Sequence, residues 1–307
     1  MPIEKSVSIG EGGDALFGTL MLPDGKNRFD AVLIWSGSGP TDRDGNLPGH
    51  KNNCLKMVAH QLADAGYASI RTDKRGIGES ENAVADETEL RFEAFVDDAL
   101  VWAQILKEVR GVRHVFLLGH SEGALTTMLV ARDFDAAGMI LIEGTGFRAS
   151  DVLRRQLSAP DINIPKYLVS EISEILDSLD GGTLVAEFSA ELEGQYRESI
   201  QPYLISWFKY DPQEELAKTK LPVMVIQGTT DFQVLIEEGE RLAAARGDIK
   251  YLQINGMNQV LKDAPKHRAS NYATYGKPLL KLAVPLMPTI IEFLDEQARS
   301  ASVANDR

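Results

Sequence analysis

The chain has 307 residues, 44% of them hydrophobic and 25% charged, with a formal net charge of −13. This is a globular composition with room for one large core and an inserted or appended subdomain, and its acidic balance, without any Lys/Arg run, argues against nucleic acid or an anionic membrane as partner. The single cysteine, Cys54, excludes an intrachain disulfide; the start MPIEKSVSIGEGGDALFG lacks a basic-then-apolar leader pattern, and no apolar run reaches the roughly 20 residues of a spanning helix, so a cytoplasmic protein is expected.

In chain order, SVSIG and ALFGTLMLP predict two antiparallel strands joined by the GEGGD turn. Short apolar runs follow: AVLIW (31–35), ASIRT (68–72), VFLL (115–118), MILI (139–142), VMVIQ (223–227) and YLQI (251–254). They are continuous rather than alternating, and helical patterns separate them, which indicates a mostly parallel sheet covered on both faces. Leu55, Val58, Ala59 and Leu62 share one helical face; Phe92, Phe95, Val96, Ala99, Trp102 and Leu106 share another. A last helix is expected near Pro288, burying Ile290, Ile291 and Leu294. The rhythm breaks between about 148 and 220, where Val169, Ile172, Leu176 and Leu179 have helical spacing and no buried strand is visible. The expected organisation is an α/β core over 1–147 and 221–307, with a helical cap over 148–220 at the carboxyl ends of the strands.

The strand VFLL leads into Gly119-His120-Ser121-Glu122-Gly123, and an almost wholly apolar helix follows. G-x-S-x-G between a strand and a helix is the setting of a nucleophile elbow: a sharp turn exposes the serine hydroxyl, and the helix N-terminus favours negative charge beside it. With these flanks the chain resembles the α/β-hydrolase superfamily, and more narrowly its carboxylesterase/lipase-like branch with a G-H-S-E-G elbow. Residues 36–45, SGSGPTDRDG, are similar to that branch's H-G-S-G-P-x-D-R-D loop, with Ser36 at the histidine, and residues 73–80, DKRGIGES, to its D-x-R-G-x-G-x-S loop.

The resemblance implies an α/β-hydrolase fold and acyl transfer by Ser121. The developing oxyanion needs two fixed N–H donors. They are assigned to the backbone of Glu122 and Ser38, with Gly37 as a neighbour able to substitute. Asp42, Arg43 and Asp44 are expected to brace their loop, and Asp73 with Arg75 to form a buried ion pair. The Glu122 side chain is expected to find a polar partner beside the elbow. Asp231, in Gly228-Thr229-Thr230-Asp231, matches the acid loop; Glu143 is its rival, and a helix N-cap is the structural alternative for Asp231.

The base position falls in GMNQVLK, where the family pattern resembles G-M-N-H-V-L-K and this chain has Gln259. An amide can imitate the shape of imidazole, donating toward Asp231 and accepting from Ser121, but it takes no proton at working pH. His50, His60, His114, His120 and His267 are expected to be structural or solvated, with His267 and His50 the only considered replacements. The expected activity is carboxylic-ester hydrolysis through a Ser-Asp-His-like triad, strongly impaired by Gln259. A non-catalytic small-molecule binding protein and a thioester or amide hydrolase are the alternatives. The expected ligand is a small ester with an apolar acyl group; Tyr203, Trp207, Phe208 and Tyr210 are either walls of its pocket or plain core. The scattered histidines imply no metal, and no cofactor is implied.

Overall fold

The computed structural model describes residues 1–157 and 164–305; residues 158–163 of the expected cap lie outside the described residues. The strands are β1 (Ile3–Ile9), β2 (Leu16–Leu22), β3 (Phe29–Trp35), β4 (Ala68–Thr72), β5 (Val112–His120), β6 (Met139–Ile142), β7 (Val223–Gly228) and β8 (Lys250–Ile254). They form one eight-stranded sheet in the order β1-β2-β4-β3-β5-β6-β7-β8. The β1–β2 and β2–β4 pairings are antiparallel and every pairing from β4 to β8 is parallel. The expectation of a mostly parallel sheet flanked by helices therefore holds.

The helices are α1 (Cys54–Ala65), α2 (Phe92–Glu108), α3 (Glu122–Val130), α4 (Ala149–Leu157), α5 (Lys166–Asp180), α6 (Glu193–Tyr196), α7 (Gln201–Phe208), α8 (Pro212–Lys218), α9 (Ile236–Ala243), α10 (Arg268–Tyr272) and α11 (Leu286–Asn305). Period-two geometry sends neighbouring strand residues to opposite faces. On β3, Ala31, Leu33 and Trp35 enter the core that holds Trp102 of α2 and Met128 of α3. Val32 and Ile34 enter the other core, with Leu55 and Val58 of α1 and Ile290 and Leu294 of α11. Both faces are dry, which is why these strands read as unbroken apolar runs. Ile291 is only half-buried; Phe293 takes the inward position instead.

Between β6 and β7 the described residues form helices and no strand. The aromatics of α7 pack on α2: the Trp207 ring stacks on Phe92 with centroids 6.1 Å apart, and Tyr203 meets Phe95 edge-on at 5.6 Å. They are core where this segment meets the sheet-covering helix. Two polar ties add to the contact. Phe92 N–H donates to Ser206 Oγ at 2.7 Å, and Arg197 pairs with Glu87 at 2.5 Å.

The strand order reverses beside β3, whose neighbours are β4 on one side and β5 on the other. At such a reversal the loops leaving the carboxyl ends diverge and open a crevice. Ser36–Ser38, Lys74, Ser121, Glu143, Asp231 and Gln259 all follow carboxyl ends of strands around it.

Candidate active site

The elbow is built by strain and close packing. Ser121 sits between β5 and α3 at φ 56°, ψ −124°, a region L-residues rarely occupy. Its N–H donates to the carbonyl of Ile142 at 3.0 Å, and its carbonyl accepts Ala124 N–H at 2.9 Å. The turn folds tightly because a Cβ on Gly119 would lie 2.3 Å from the Gly123 carbonyl oxygen, and one on Gly123 2.4 Å from that of Trp35. Ser121 is 8% exposed, and among the described residues its hydroxyl makes no hydrogen bond.

The loop after β3 lies directly on the serine. A Cβ on Gly37 would fall 2.9 Å from Ser121 Cβ and 3.4 Å from its Oγ. Among the described residues, the N–H groups of Gly37, Ser38 and Glu122 have no hydrogen-bond acceptor. Ser38 is exposed while Gly37 is buried. Ser36 turns inward and donates to the Thr41 carbonyl at 3.4 Å, while Thr41 Oγ1 donates to the Ser38 carbonyl at 2.7 Å. The loop thus keeps its shape through hydroxyl contacts. The Glu122 carboxylate accepts Tyr203 Oη–H at 2.8 Å and lies 3.5 Å from Lys74 Nζ, meeting the expectation of a polar partner.

The bracing charges differ from expectation in one respect. Asp73 and Arg75 do not pair. Asp73 pairs with Arg43 at 2.5 Å, and Arg75 reaches across to Asp98 of α2 at 2.5 Å. The turn at Gly76 and Gly78 folds the loop back, so that Glu79 N–H also donates to Asp73 at 2.9 Å and the two side chains face different elements. Asp42 accepts the N–H groups of Asp44 and Asn46 at 2.9 and 2.8 Å, and Asp44 pairs with buried Arg71 at 3.0 Å.

Asp231 and Glu143 meet below the elbow. Asp231 Oδ1 accepts the N–H groups of Gln233 and Val234 at 2.7 and 3.2 Å. The helix N-cap alternative is not realised: α9 begins at Ile236, and Asp231 turns its own loop instead. Glu143, held at φ 48° and fully buried, accepts Gly228 N–H at 2.9 Å and the Gln227 amide at 2.5 Å. Burial pushes the Glu143 carboxyl well above its ordinary range, and the neighbouring Asp231 charge adds to this. Burial raises Asp231 as well. Two carboxyls packed together cannot both ionise. Glu143, the more buried and the more strongly raised, holds its proton more tightly than Asp231.

Gln259 is 6% exposed. Its backbone carbonyl pairs with His120 Nε2 at 2.8 Å, which makes Nε2 the protonated nitrogen of a neutral ring. Burial brings the His120 pKa down to about 4. The amide of Gln259 does not bridge the other two residues. Its Oε1 and the Oδ2 of Asp231 are buried without a hydrogen-bond partner, and its Nε2 donates to no described residue. The reason is geometric: a primary amide carries its donor and acceptor on one carbon, whereas imidazole spans two partners from opposite sides of a ring.

The other histidines lie elsewhere. His114 contacts Asp30 at 2.9 Å, His60 lies 3.9 Å from Glu4, His267 contacts Ser270 at 3.2 Å, and His50 contacts Tyr272 at 3.2 Å. None reaches Ser121. Among the described residues no cluster of His, Cys, Asp and Glu suits a metal ion, and no helix is long and apolar enough to cross a membrane.

Sequence reasoning missed the residues that hold Gln259 in place. Asn258 Nδ2 donates to Asn271 Oδ1 at 2.9 Å and to Thr274 Oγ1 at 2.8 Å. Asn271 Nδ2 donates to the Thr230 carbonyl at 2.8 Å, next to Asp231. Lys262, fully buried, donates to the carbonyls of Asn52 and Lys277, both at 2.6 Å. Leu261 between them has φ 61°. The polar residues flanking Gln259 in an otherwise apolar GMNQVLK stretch were the available signal.

Comparison with known proteins adds three kinds of likeness. The family model described as serine aminopeptidase, S33 matches residues 49–167, a span that includes the elbow. Esterase EstD from Thermotoga maritima is 28% identical over 272 residues, covering 84% of this chain and 60% of that protein, so the chain spans only part of its relative's length. Among solved structures, ferulic-acid-bound Est1E from Butyrivibrio proteoclasticus superposes with a TM-score of 0.65 at 17% identity, covering 95% of this chain and 99% of the other. A malate-bound thermophilic esterase from Thermogutta terrifontis gives 0.57 at 18% identity with the same coverage.

Proposed function

Given the α/β-hydrolase fold that these likenesses show, we propose that the chain is a carboxylic-ester hydrolase framework whose proton chemistry is interrupted at Gln259. The observation that carries this reading is Ser121 at φ 56°, packed against Gly37, with unpartnered N–H groups on Glu122, the next residue, and on Ser38, which follows Gly37. Such donors cost nothing to reorganise when charge develops on an acyl oxygen. In the proposed reaction Ser121 Oγ attacks the ester carbon, the carbonyl electron pair moves onto oxygen, and the two N–H groups hold it. Collapse expels the alcohol and leaves an acyl-serine, which water then hydrolyses.

Both steps move a proton through a base. A histidine at 259 would take the Ser121 proton, give it to the leaving alcohol, and be oriented by Asp231. Gln259 does neither, so the proton must pass to solvent. The EstD relative supports an ester as the substrate class, and the helices over 148–220 are proposed as the cap, with Tyr203 on Glu122 as its contact with the site. A small ester with an apolar acyl group is the proposed ligand.

Hydrolysis of a short-chain p-nitrophenyl ester tests this on the chain as written and on Gln259→His. The histidine variant is expected to gain about 10⁴-fold or more in kcat, since removal of a triad base costs up to about 10⁶-fold in a serine protease. A folded Gln259→His variant without that gain would sink the esterase reading. Saturable ester binding without turnover in that variant would favour a binding protein instead.

A further inference from the structure

Lys74 is a buried cation beside Glu122 that this mechanism leaves unused. It follows β4, its side chain is 2% exposed, and it faces three groups. Its Nζ donates to the Gly37 carbonyl, lies 3.5 Å from Glu122 Oε1, and sits 5.4 Å from the centre of the Phe95 ring. The other oxygen of Glu122 is held by Tyr203 of α7. An ammonium is expensive to bury, and the pair it forms with Glu122 offsets that cost without any net gain in stability over an apolar pair. Its position relative to the peptide groups is therefore the informative feature.

We propose that Lys74 is a positioning residue for both oxyanion donors: it aims and polarises the Gly37–Ser38 peptide through the carbonyl and anchors Glu122 through its carboxylate. The Gly37 carbonyl and the Ser38 N–H are two ends of one planar amide. A cation on the oxygen draws electron density along that amide, strengthens the N–H as a donor, and fixes the plane in which it points. The competing donor, Gly37 N–H, belongs to the Ser36–Gly37 peptide. The Ser36 oxygen is packed toward α3, where a Cβ on Gly123 would meet it at 2.7 Å, and no cation touches it. The polarisation therefore selects Ser38. Through Glu122 and Tyr203 the same lysine ties the oxyanion loop, the elbow and the helices between β6 and β7 into one polar chain.

The inference rests on the esterase reading for its catalytic meaning, but its physical content can be tested without turnover. In the unsubstituted chain carrying ¹³C′-glycine and ¹⁵N-serine, the Gly37 carbonyl resonance is expected downfield of ordinary glycine carbonyls, and the Ser38 amide proton downfield of the other serines. Ordinary shifts at both positions overturn the proposal with no substitution made. Lys74→Met combined with Glu122→Gln, which leaves no lone buried charge, is expected to return both resonances to ordinary positions; unmoved resonances in the folded variant also overturn it. In a Gln259→His background the same pair of substitutions is expected to lower kcat about tenfold, the worth of one charge-assisted hydrogen bond, with KM within about twofold. Lys74→Arg should recover part of that loss. Equal kcat with and without the ammonium overturns the catalytic half of the proposal. If Gln259→His gives no turnover at all, the esterase reading fails, and the resonances still decide the role of Lys74.

Discussion

Glu143 keeps its proton beside Asp231 in a buried site, and this makes stability depend on pH in a definite sense. The folded-state pKa of Glu143 lies above its ordinary value of 4.5, so the native state keeps a proton that the unfolded chain releases. The contribution is present at low pH and declines as pH rises above about 4.5 toward the folded value. Glu143→Gln, neutral at every pH, is expected to remove that decline. Thermal midpoints of the two proteins measured from pH 5 to 9 should diverge, with the variant gaining relative stability as pH rises; parallel curves would contradict the assignment of the proton. His120 acts in the opposite direction. Its folded pKa of about 4 lies below the ordinary 6.5, so the unfolded state binds the proton first. Stability is complete above pH 6.5 and falls as pH drops toward 4, by an amount on the order of 3 kcal/mol. Urea unfolding of His120→Gln across this window is expected to show a shallower acid slope than the parent.

The segment from β8 to α11 holds one short helix, α10, and is otherwise organised by side chains. Asn258, Asn271 and Thr274 bond one another, the Lys262 N–H donates to Asn258, and the side chains of Asn271, Thr274 and Lys262 hold five backbone carbonyls; Gln259 is presented from the middle of this buried arrangement. Removing one partner leaves the others buried and unpaired, which costs more than the bond itself. Asn258→Ala is therefore expected to lower stability by about 1–3 kcal/mol, read as a drop in the urea midpoint. In a Gln259→His background it should also lower kcat, because the base would be held less firmly. A variant as stable as the parent would show that the network is redundant.

The helices between β6 and β7 are joined to the core by the Phe92–Trp207 stack, the Tyr203–Glu122 hydrogen bond and the Arg197–Glu87 pair. Phe92, Tyr203 and Glu122 are buried at these contacts, so the segment and the sheet are expected to unfold together. Two tryptophans, Trp35 and Trp102, lie in the sheet core, and Trp207 lies in the helical segment. Fluorescence and far-UV circular dichroism should therefore give one coincident urea transition. Phe92→Ala should shift both by the same amount, a loss of about 3–5 kcal/mol. A separate early fluorescence phase would show that the helical segment opens alone.

Much of this molecule is legible in one dimension. The parallel strands were visible because residues such as Ala31 to Trp35 face two dry cores and are apolar without a break. The elbow was visible because its strain and its close contacts demand glycine at Gly119 and Gly123, residues that stand out in any sequence. Other features depend on which loops meet after folding, and local pattern carries no record of that. Asp73 and Arg75 are two residues apart, yet each pairs with a distant element, because the fold of the loop sends their side chains in different directions. The raised proton affinity of Glu143 beside Asp231 arises only where β6 and β7 lie side by side. Lys74 reads as one more loop charge until β4 places it under the Gly37 carbonyl. Chemical identity and backbone strain are written residue by residue and can be read from the chain. Burial, partner choice and proton affinity belong to pairs of groups brought together by the sheet, and they exist only in three dimensions.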